Sequence, residues 1–223
     1  MLDIHSHILP DLDDGPAALE EAVEMAREAV RAGVSGVVAT PHAFSPFFEV
    51  SPLARDMALA RFSRELEGAG VSLPVFPGFE CYAVENLVER IEAESAYLMP
   101  TDLLGNGKCR YVLLELGAGN PVECLDSLLF DCQLQGIVPI LAHPERIPEV
   151  RRNPRAIEPF VRKGGEIQIT AGCLTGIRQM RSRRVCEFLL KNELVAYIAS
   201  DAHCQQDYVR LGKAMRRVGG SWW

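Results

Sequence analysis

Five histidines occur in this chain, at positions 5, 7, 42, 143 and 203, and each falls at or just beyond the C-terminal end of an apolar run. The first two lie in "LDIHSHILPDLDDG", residues 2–15. If Leu2-Asp3-Ile4 is a short strand, side chains two apart share a face, so His5 and His7 point the same way. Two imidazoles on one face suit a metal ion of intermediate softness; the plainer alternative is a polar strand end entering an aspartate-rich turn. Three carboxylates repeat the placement. Glu80 ends a strand in the apolar "VFPGFECY", Glu115 interrupts "YVLLELG", and Asp201 follows "AYIAS". A carboxylate in such surroundings is costly unless a cation faces it, either a metal ion or a buried arginine. Asp14 reads as a ligand or as a turn and helix-cap residue, whereas Asp11 and Asp13 read as surface turn residues.

Five imidazoles with three or four carboxylates exceed what one ion needs. They suit two or three Mn, Fe or Zn ions with bridging carboxylates. Such a centre supplies hydroxide near neutral pH and clamps an oxyanion in displacement at phosphorus or carbon. Arg146, in "AHPER", stands three residues beyond His143, where a guanidinium can hold phosphate bidentately. A rival chemistry is a cysteine nucleophile in the C-x5-R spacing of Cys204 and Arg210. That loop needs small residues so that its amides converge on phosphate, and "CQQDYVR" contains no glycine. The cysteine route is rejected.

The elements that must position these residues alternate regularly. Strands are expected at 2–4, 36–42, 73–80, 111–117, 136–144, 166–172 and 194–203. In "AALEEAVEMAREAVRAG", Leu19, Ala22, Val23, Ala26 and Val30 have helical spacing, with Pro16 suiting the first turn and Gly33 the end. Further helices are expected from Ser51-Pro52, over 84–94, after Pro121, over 153–163, and over about 178–191 and 206–218. Repeated strand–helix units imply parallel pairing and right-handed crossovers. Seven units without a dinucleotide-type glycine signature favour a barrel, in one domain over 1–223. In such a barrel the C-terminal strand ends converge on one mouth, which is where the histidines fall.

The composition fits a globular protein: 48% hydrophobic and 24% charged over 223 residues. A formal charge of -7 argues against a nucleic-acid surface or adhesion to acidic lipid. Seven cysteines without a C-x-x-C pair argue for reduced thiols over a disulfide scaffold. No leader pattern or membrane-length run is present, so a cytoplasmic address without membrane insertion is expected. Trp222 and Trp223 end the sequence in "SWW", able to pack on the barrel or reach a partner.

Taken together, "DIHSHILPDLDDG", "VVATPH", "GFE", "LLELG", "LAHPER" and "ASDAH" resemble the metal-binding motifs of the polymerase and histidinol phosphatase superfamily. "HILPDLDDG" and "AHPER" are most similar to its bacterial protein-tyrosine phosphatase branch, the manganese-dependent enzymes of capsule and exopolysaccharide clusters. The likeness runs from Leu2 to His203. It implies an α/β fold, a distorted seven-stranded (β/α)7 TIM-like barrel, and a Mn2+ cluster of three metals. By the resemblance, His5, His7 and Asp201 hold the first ion and Glu80 bridges to the second. Glu115 and His143 complete the second; Asp14, His42 and His203 hold the third; Arg146 binds phosphate. The implied reaction is phosphotyrosine hydrolysis by a metal-bridging hydroxide, with a bacterial tyrosine kinase as the phosphoprotein partner.

The sequence departs from that family after "SDAH", where relatives usually continue with an asparagine and soon an arginine. Here Arg210 is the nearest candidate for the arginine's phosphate grip, and it is displaced. Two other readings use the same residues: a small-molecule phosphoesterase such as a histidinol-phosphate phosphatase, and a non-catalytic, metal-stabilised regulatory protein. "FSPFFEVSP" (44–52) adds aromatic surface near His42 that suits a phenol ring, while core packing accounts for Phe44 and Phe47 about as well. The oligomeric state is left open by the sequence.

Overall fold

The computed structural model describes residues 1–104, 107, 109–117, 119–175 and 180–219; Trp222 and Trp223 lie outside them. Its strands are β1 (Leu2–Ser6), β2 (Gly36–Ala39), β3 (His42–Ala43), β4 (Val75–Pro77), β5 (Glu80–Tyr82), β6 (Arg110–Glu115), β7 (Ile137–Ala142), β8 (Glu166–Thr170) and β9 (Tyr197–Ala199). The helices are α1 (Leu19–Arg31), α2 (Pro52–Gly68), α3 (Leu87–Ala93), α4 (Cys124–Leu134), α5 (Pro148–Arg152), α6 (Glu158–Arg162), α7 (Ala171–Thr175), α8 (Met180–Lys191) and α9 (Gln205–Val218).

All ladders are parallel, in two sheets ordered β1-β2-β4 and β3-β5-β6-β7-β8-β9. Sheets of this kind are covered on both faces, which is why Val37, Val38, Leu113, Leu114, Ile140, Leu141, Ile167 and Ile169 are all buried. Among the described residues the seven strands expected from sequence are nine. The run 36–42 breaks around Thr40-Pro41, where proline has no N–H to give a ladder. The run 73–80 breaks around Gly78, whose position leaves no room for a Cβ against Val38 Cγ1, 2.6 Å away.

The two sheets nevertheless adjoin at both sides. At one, β2 runs on towards β3 and β4 towards β5, with the paired runs still bonded across their breaks; at the other, hydrogen bonds cross from β1 to the segment after β9. Gly78 N–H donates to Ala39 O (2.9 Å) and Glu80 N–H to Pro41 O (3.2 Å). On the other side, Asp201 N–H donates to His5 O and His7 N–H to Ala202 O, both at 2.9 Å. That second seam carries a buried staple: Asp3 accepts from the Ser200 amide (2.9 Å) and hydroxyl (2.6 Å). Burial pushes the Asp3 carboxyl up to about 6, against the pull of the two Ser200 bonds.

The helices follow their sequence signals with some shifts. In α1, Ala22, Met25, Ala26 and Ala29 form the buried face, and the chain leaves through Gly33 at φ 88°. Pro16 lies upstream of this helix and not in its first turn. Ser51 caps α2 by accepting from Ala54 N–H (3.2 Å). The strand expected over 166–172 ends at Thr170, because Ala171 opens α7. The helix expected over 153–163 divides into a 3-10 turn (Pro154–Ile157) and α6, and the one expected over 84–94 shortens to α3. Among the described residues, no helix is long and apolar enough to cross a membrane.

Candidate metal centre

Strand ends deliver nine side chains to one place. His5 comes from within β1 and His7 from just beyond it; His42 opens β3, Glu80 opens β5 and Glu115 closes β6. His143 follows β7, and Asp201 and His203 follow β9. Asp14 arrives on the turn after β1. His143 (φ 32°) and Asp201 (φ 49°) have left-handed backbone, which turns each side chain at the end of its strand. Non-glycine residues held there are strained, and such strain gathers at functional sites.

Glu80 stands at the middle. Its Oε1 is 2.7 Å from His143 Nε2 and 3.4 Å from His5 Nε2; its Oε2 is 3.1 Å from His42 Nδ1 and 3.4 Å from His7 Nε2. Asp201 Oδ1 lies 3.4 Å from His5 Nε2 and 3.7 Å from His7 Nε2. Asp14 Oδ1 approaches three imidazoles: His203 at 3.2 Å, His42 at 3.5 Å and His7 at 3.8 Å. That placement favours the ligand reading of Asp14 over the helix-cap reading, since α1 starts only at Leu19. The tight groupings put Glu115 with His42 and Glu80, and His143 with His5 and Asp201. The division among three ions implied by the resemblance instead paired Glu115 with His143.

The nine groups fit metal ions. Glu80 Oε2, Asp201 Oδ1 and His42 Nδ1 are buried without a hydrogen-bond partner, and His5 Nε2 faces His7 Nε2 at 3.4 Å. Buried polar atoms left in this way are costly, and nitrogen facing nitrogen is the spacing of donors around a shared cation. The electrostatics agree. Burial disfavours a charged His5, yet Glu80 and Asp201 outweigh it and push the imidazole up to about 9. Burial likewise opposes charge on Glu80, but the imidazoles of His5 and His143 hold its carboxyl well below the usual range. Glu115 moves the other way, raised by burial and by the neighbouring Glu80. Carboxylates and imidazoles here hold each other charged, a balance that bound cations would take over.

Two residues behind the cluster were missed or misplaced in the sequence. Asp13, expected at the surface, has a buried side chain, only 1% exposed. Its Oδ2 is 2.7 Å from His7 Nδ1 and accepts from His42 N–H (3.1 Å), while Oδ1 accepts from Gly15 N–H (3.0 Å). The turn lies so close to β1 that a Cβ at position 15 would strike the His7 carbonyl oxygen, so glycine is required there. Asp11, by contrast, is exposed as expected. The second residue is Gln168 on β8, whose buried Oε1 sits 2.9 Å from His5 Nδ1. A carboxylate behind one imidazole and an amide behind the other place the ring protons at Nδ1 and leave both Nε2 atoms facing inwards. Asp13→Asn is expected to weaken metal affinity by ~10-fold, the lower end for loss of a group that orients a ligand. Metal titration of the apo-protein checks this; unchanged affinity would mean that Asp13 only shapes the turn.

The two arginines differ in setting. Arg146 sits on the short turn after His143 and donates to Asp201 Oδ2. Burial opposes its charge, but Asp201 more than restores it, so the guanidinium stays protonated. Arg210, on α9, pairs with Asp207 Oδ1 at 2.6 Å. The other oxygen of Asp207 accepts from the amides of His203 and Cys204, each at 3.2 Å.

A family model for capsular polysaccharide synthesis, CpsB/CapC, matches residues 1–218. The chain belongs to the CpsB/CapC family. Among CpsB/CapC relatives, the tyrosine-protein phosphatase YwqE of Bacillus subtilis is 35% identical over 203 residues, covering 91% of this chain and 77% of that protein. The tyrosine-protein phosphatase CpsB of Streptococcus agalactiae serotype III is 29% identical over 211 residues, 91% of this chain and 83% of that one. A solved structure, described with YwqE of B. subtilis and CpsB of Streptococcus pneumoniae as unique metal-dependent tyrosine phosphatases, superposes with a TM-score of 0.83. It shares 33% identity and covers 99% of this chain and 88% of its own. Membership of this family is what the sequence motifs led one to expect.

Proposed function

We propose that this chain is a metal-dependent protein-tyrosine phosphatase acting on a phosphotyrosine protein of capsule or exopolysaccharide synthesis, a bacterial tyrosine kinase. The observation that carries the reading is Glu80, a buried carboxylate ringed by His5, His7, His42 and His143 at 2.7–3.4 Å, in a CpsB/CapC chain. We read the two linked sheets as one distorted seven-stranded (β/α)7 barrel, a single domain with the cluster at its mouth. Its address is cytoplasmic.

His5, His7, Asp14, His42, Glu80, Glu115, His143, Asp201 and His203 would hold the ions. Nitrogen and oxygen donors without thiolate suit Mn2+, with Fe and Zn as competitors. Bound there, the ions supply Lewis-acid charge and water of lowered pKa. The chain's own residues do the rest. Asp13 and Gln168 hold the tautomers of His7 and His5. Arg146 brings a planar, permanently charged fork to the phosphate oxygens beside the cluster.

Turnover of para-nitrophenyl phosphate with added Mn2+, measured against chelator-treated protein, tests the activity. A phosphotyrosine peptide beside histidinol phosphate tests the substrate class. Absence of metal-dependent turnover would leave the regulatory reading; a preference for histidinol phosphate would overturn the protein substrate.

Cys204 is not the nucleophile. Its thiol donates to Asp207 Oδ2 (3.3 Å), and partial burial together with that carboxylate pushes it up, opposite to what a nucleophilic thiol needs. Residues 205–210 are already helix α9, not a phosphate-cradling loop. Cys204→Ser should keep most of the activity in the same assay; an inactive variant with its metals still bound would restore the cysteine route.

A further inference from the structure

The segment after β3 presents three phenylalanines, and the structure sorts them. Phe44 is accounted for by packing: its ring lies 4.5 Å from that of Tyr97, and the Arg90 guanidinium covers it at 5.1 Å. Its left-handed backbone (φ 58°) turns the chain back towards the cluster. The Ser45 hydroxyl then accepts from Phe47 N–H (3.2 Å), fixing a tight turn. Phe47 is 82% exposed, so core packing does not explain it. Phe48 lies flat on His42, with ring centroids 5.5 Å apart and planes within 5°.

One exposed phenylalanine is ordinary and carries nothing by itself. The Phe48 stack is different, because His42 faces Glu80 through Nδ1 and Asp14 through Nε2. An aromatic surface therefore continues the rim of the cluster directly. The ring of an aryl phosphate is separated from phosphorus by only the ester oxygen, so a phosphate seated on the cluster must leave its ring at that rim. A hollow of about 550 Å3 on the His203 side of the cluster is lined by Pro16, Glu21, Met25, Glu28 and Val209 and offers no phenyl or phenol ring.

We propose that Phe48, backed by His42, and the exposed Phe47 form the wall on which the substrate's aromatic ring lies, and that they set a preference for aryl over alkyl phosphates. The proposal rests on the phosphatase reading and assigns these two side chains its choice of leaving group. Stacked or edge-on rings gain free energy beyond their buried area, a gain that an alkyl ester cannot collect.

The test is binding of benzylphosphonate and ethylphosphonate, neither of which can be hydrolysed at phosphorus, to Mn2+-loaded wild type, Phe47→Ala, Phe48→Ala and Phe48→Tyr. The wild type is expected to prefer the benzyl ligand. Phe48→Ala should reduce that preference by ~10-fold, the scale of one aromatic contact, Phe47→Ala by less, and Phe48→Tyr should retain it. Phe47→Ala removes only an exposed side chain, so its folding is not at issue. A wild type without preference, or alanine variants that weaken both ligands alike, overturns the proposal. Turnover of para-nitrophenyl phosphate by the same metal-loaded samples reports on the phosphatase reading separately.

Discussion

Replacing His143 or Asp201 with alanine is expected to lower kcat by at least ~10²-fold, the scale seen when one preorganised electrostatic group is lost. Both residues lie in the tightest part of the cluster. His143 Nε2 is 2.7 Å from Glu80, and Asp201 Oδ1 is buried, without a hydrogen-bond partner, 3.4 Å from His5 Nε2. Either loss leaves Glu80 or His5 facing one donor fewer around the ions. Asp201→Asn is the sharper variant, because asparagine tolerates the left-handed backbone at this position while removing the charge. Thermal melting of each variant separates loss of fold from loss of site. Near-wild-type kcat in both alanine variants would end the metal mechanism.

The second large effect belongs to Arg146. Arg146→Ala is expected to lower kcat/KM by ~10²-fold, whereas Arg210→Ala should change it by less than about twofold. Arg146 is bonded to Asp201 in the cluster itself. Arg210 is held on α9 by Asp207, the same side chain that caps the amides of His203 and Cys204. To reach phosphate, Arg210 would have to leave a close ion pair for a site on another element. Parallel kinetics of the two variants decide the matter: equal large losses would show that Arg210 replaces the arginine this chain lacks after "SDAH".

The histidines and Glu80, Glu115 and Asp201 were legible in the sequence for a physical reason. In parallel sheets the strand ends line up, so a polar residue ending an apolar run declares its destination. Asp13 was not legible. Three aspartates share the turn after β1, and nothing in their spacing says that Asp13 lies behind His7 while Asp14 faces the imidazoles. Gln168 did leave a signal, an amide in the middle of "EIQIT", where nothing apolar explains it. Pro41 and Gly78 likewise marked the strand breaks, yet a run of apolar residues reads the same whether or not its ladder is interrupted. Within the helix expected over 153–163, Pro154 and Pro159 mark its division into a 3-10 turn and α6, an outcome that periodicity alone cannot resolve.

The seam that joins β1 to β9 also sets a timetable. Asp3 and Ser200, 197 residues apart, are bonded to each other, and Ser6 meets Ala202 across 196. His5 and His7 leave the ribosome almost 200 residues ahead of Asp201 and His203. A nascent chain stopped before position 201 holds seven of the nine groups, with β1 paired to β2 on one side and open on the other, able to grasp metal weakly and to aggregate along that edge. Contacts so distant in sequence are slow to close, so β1 is expected to dock late, after the intervening strands and helices have formed. Chemistry at this centre therefore begins only when synthesis has passed His203 and the first strand has found the last.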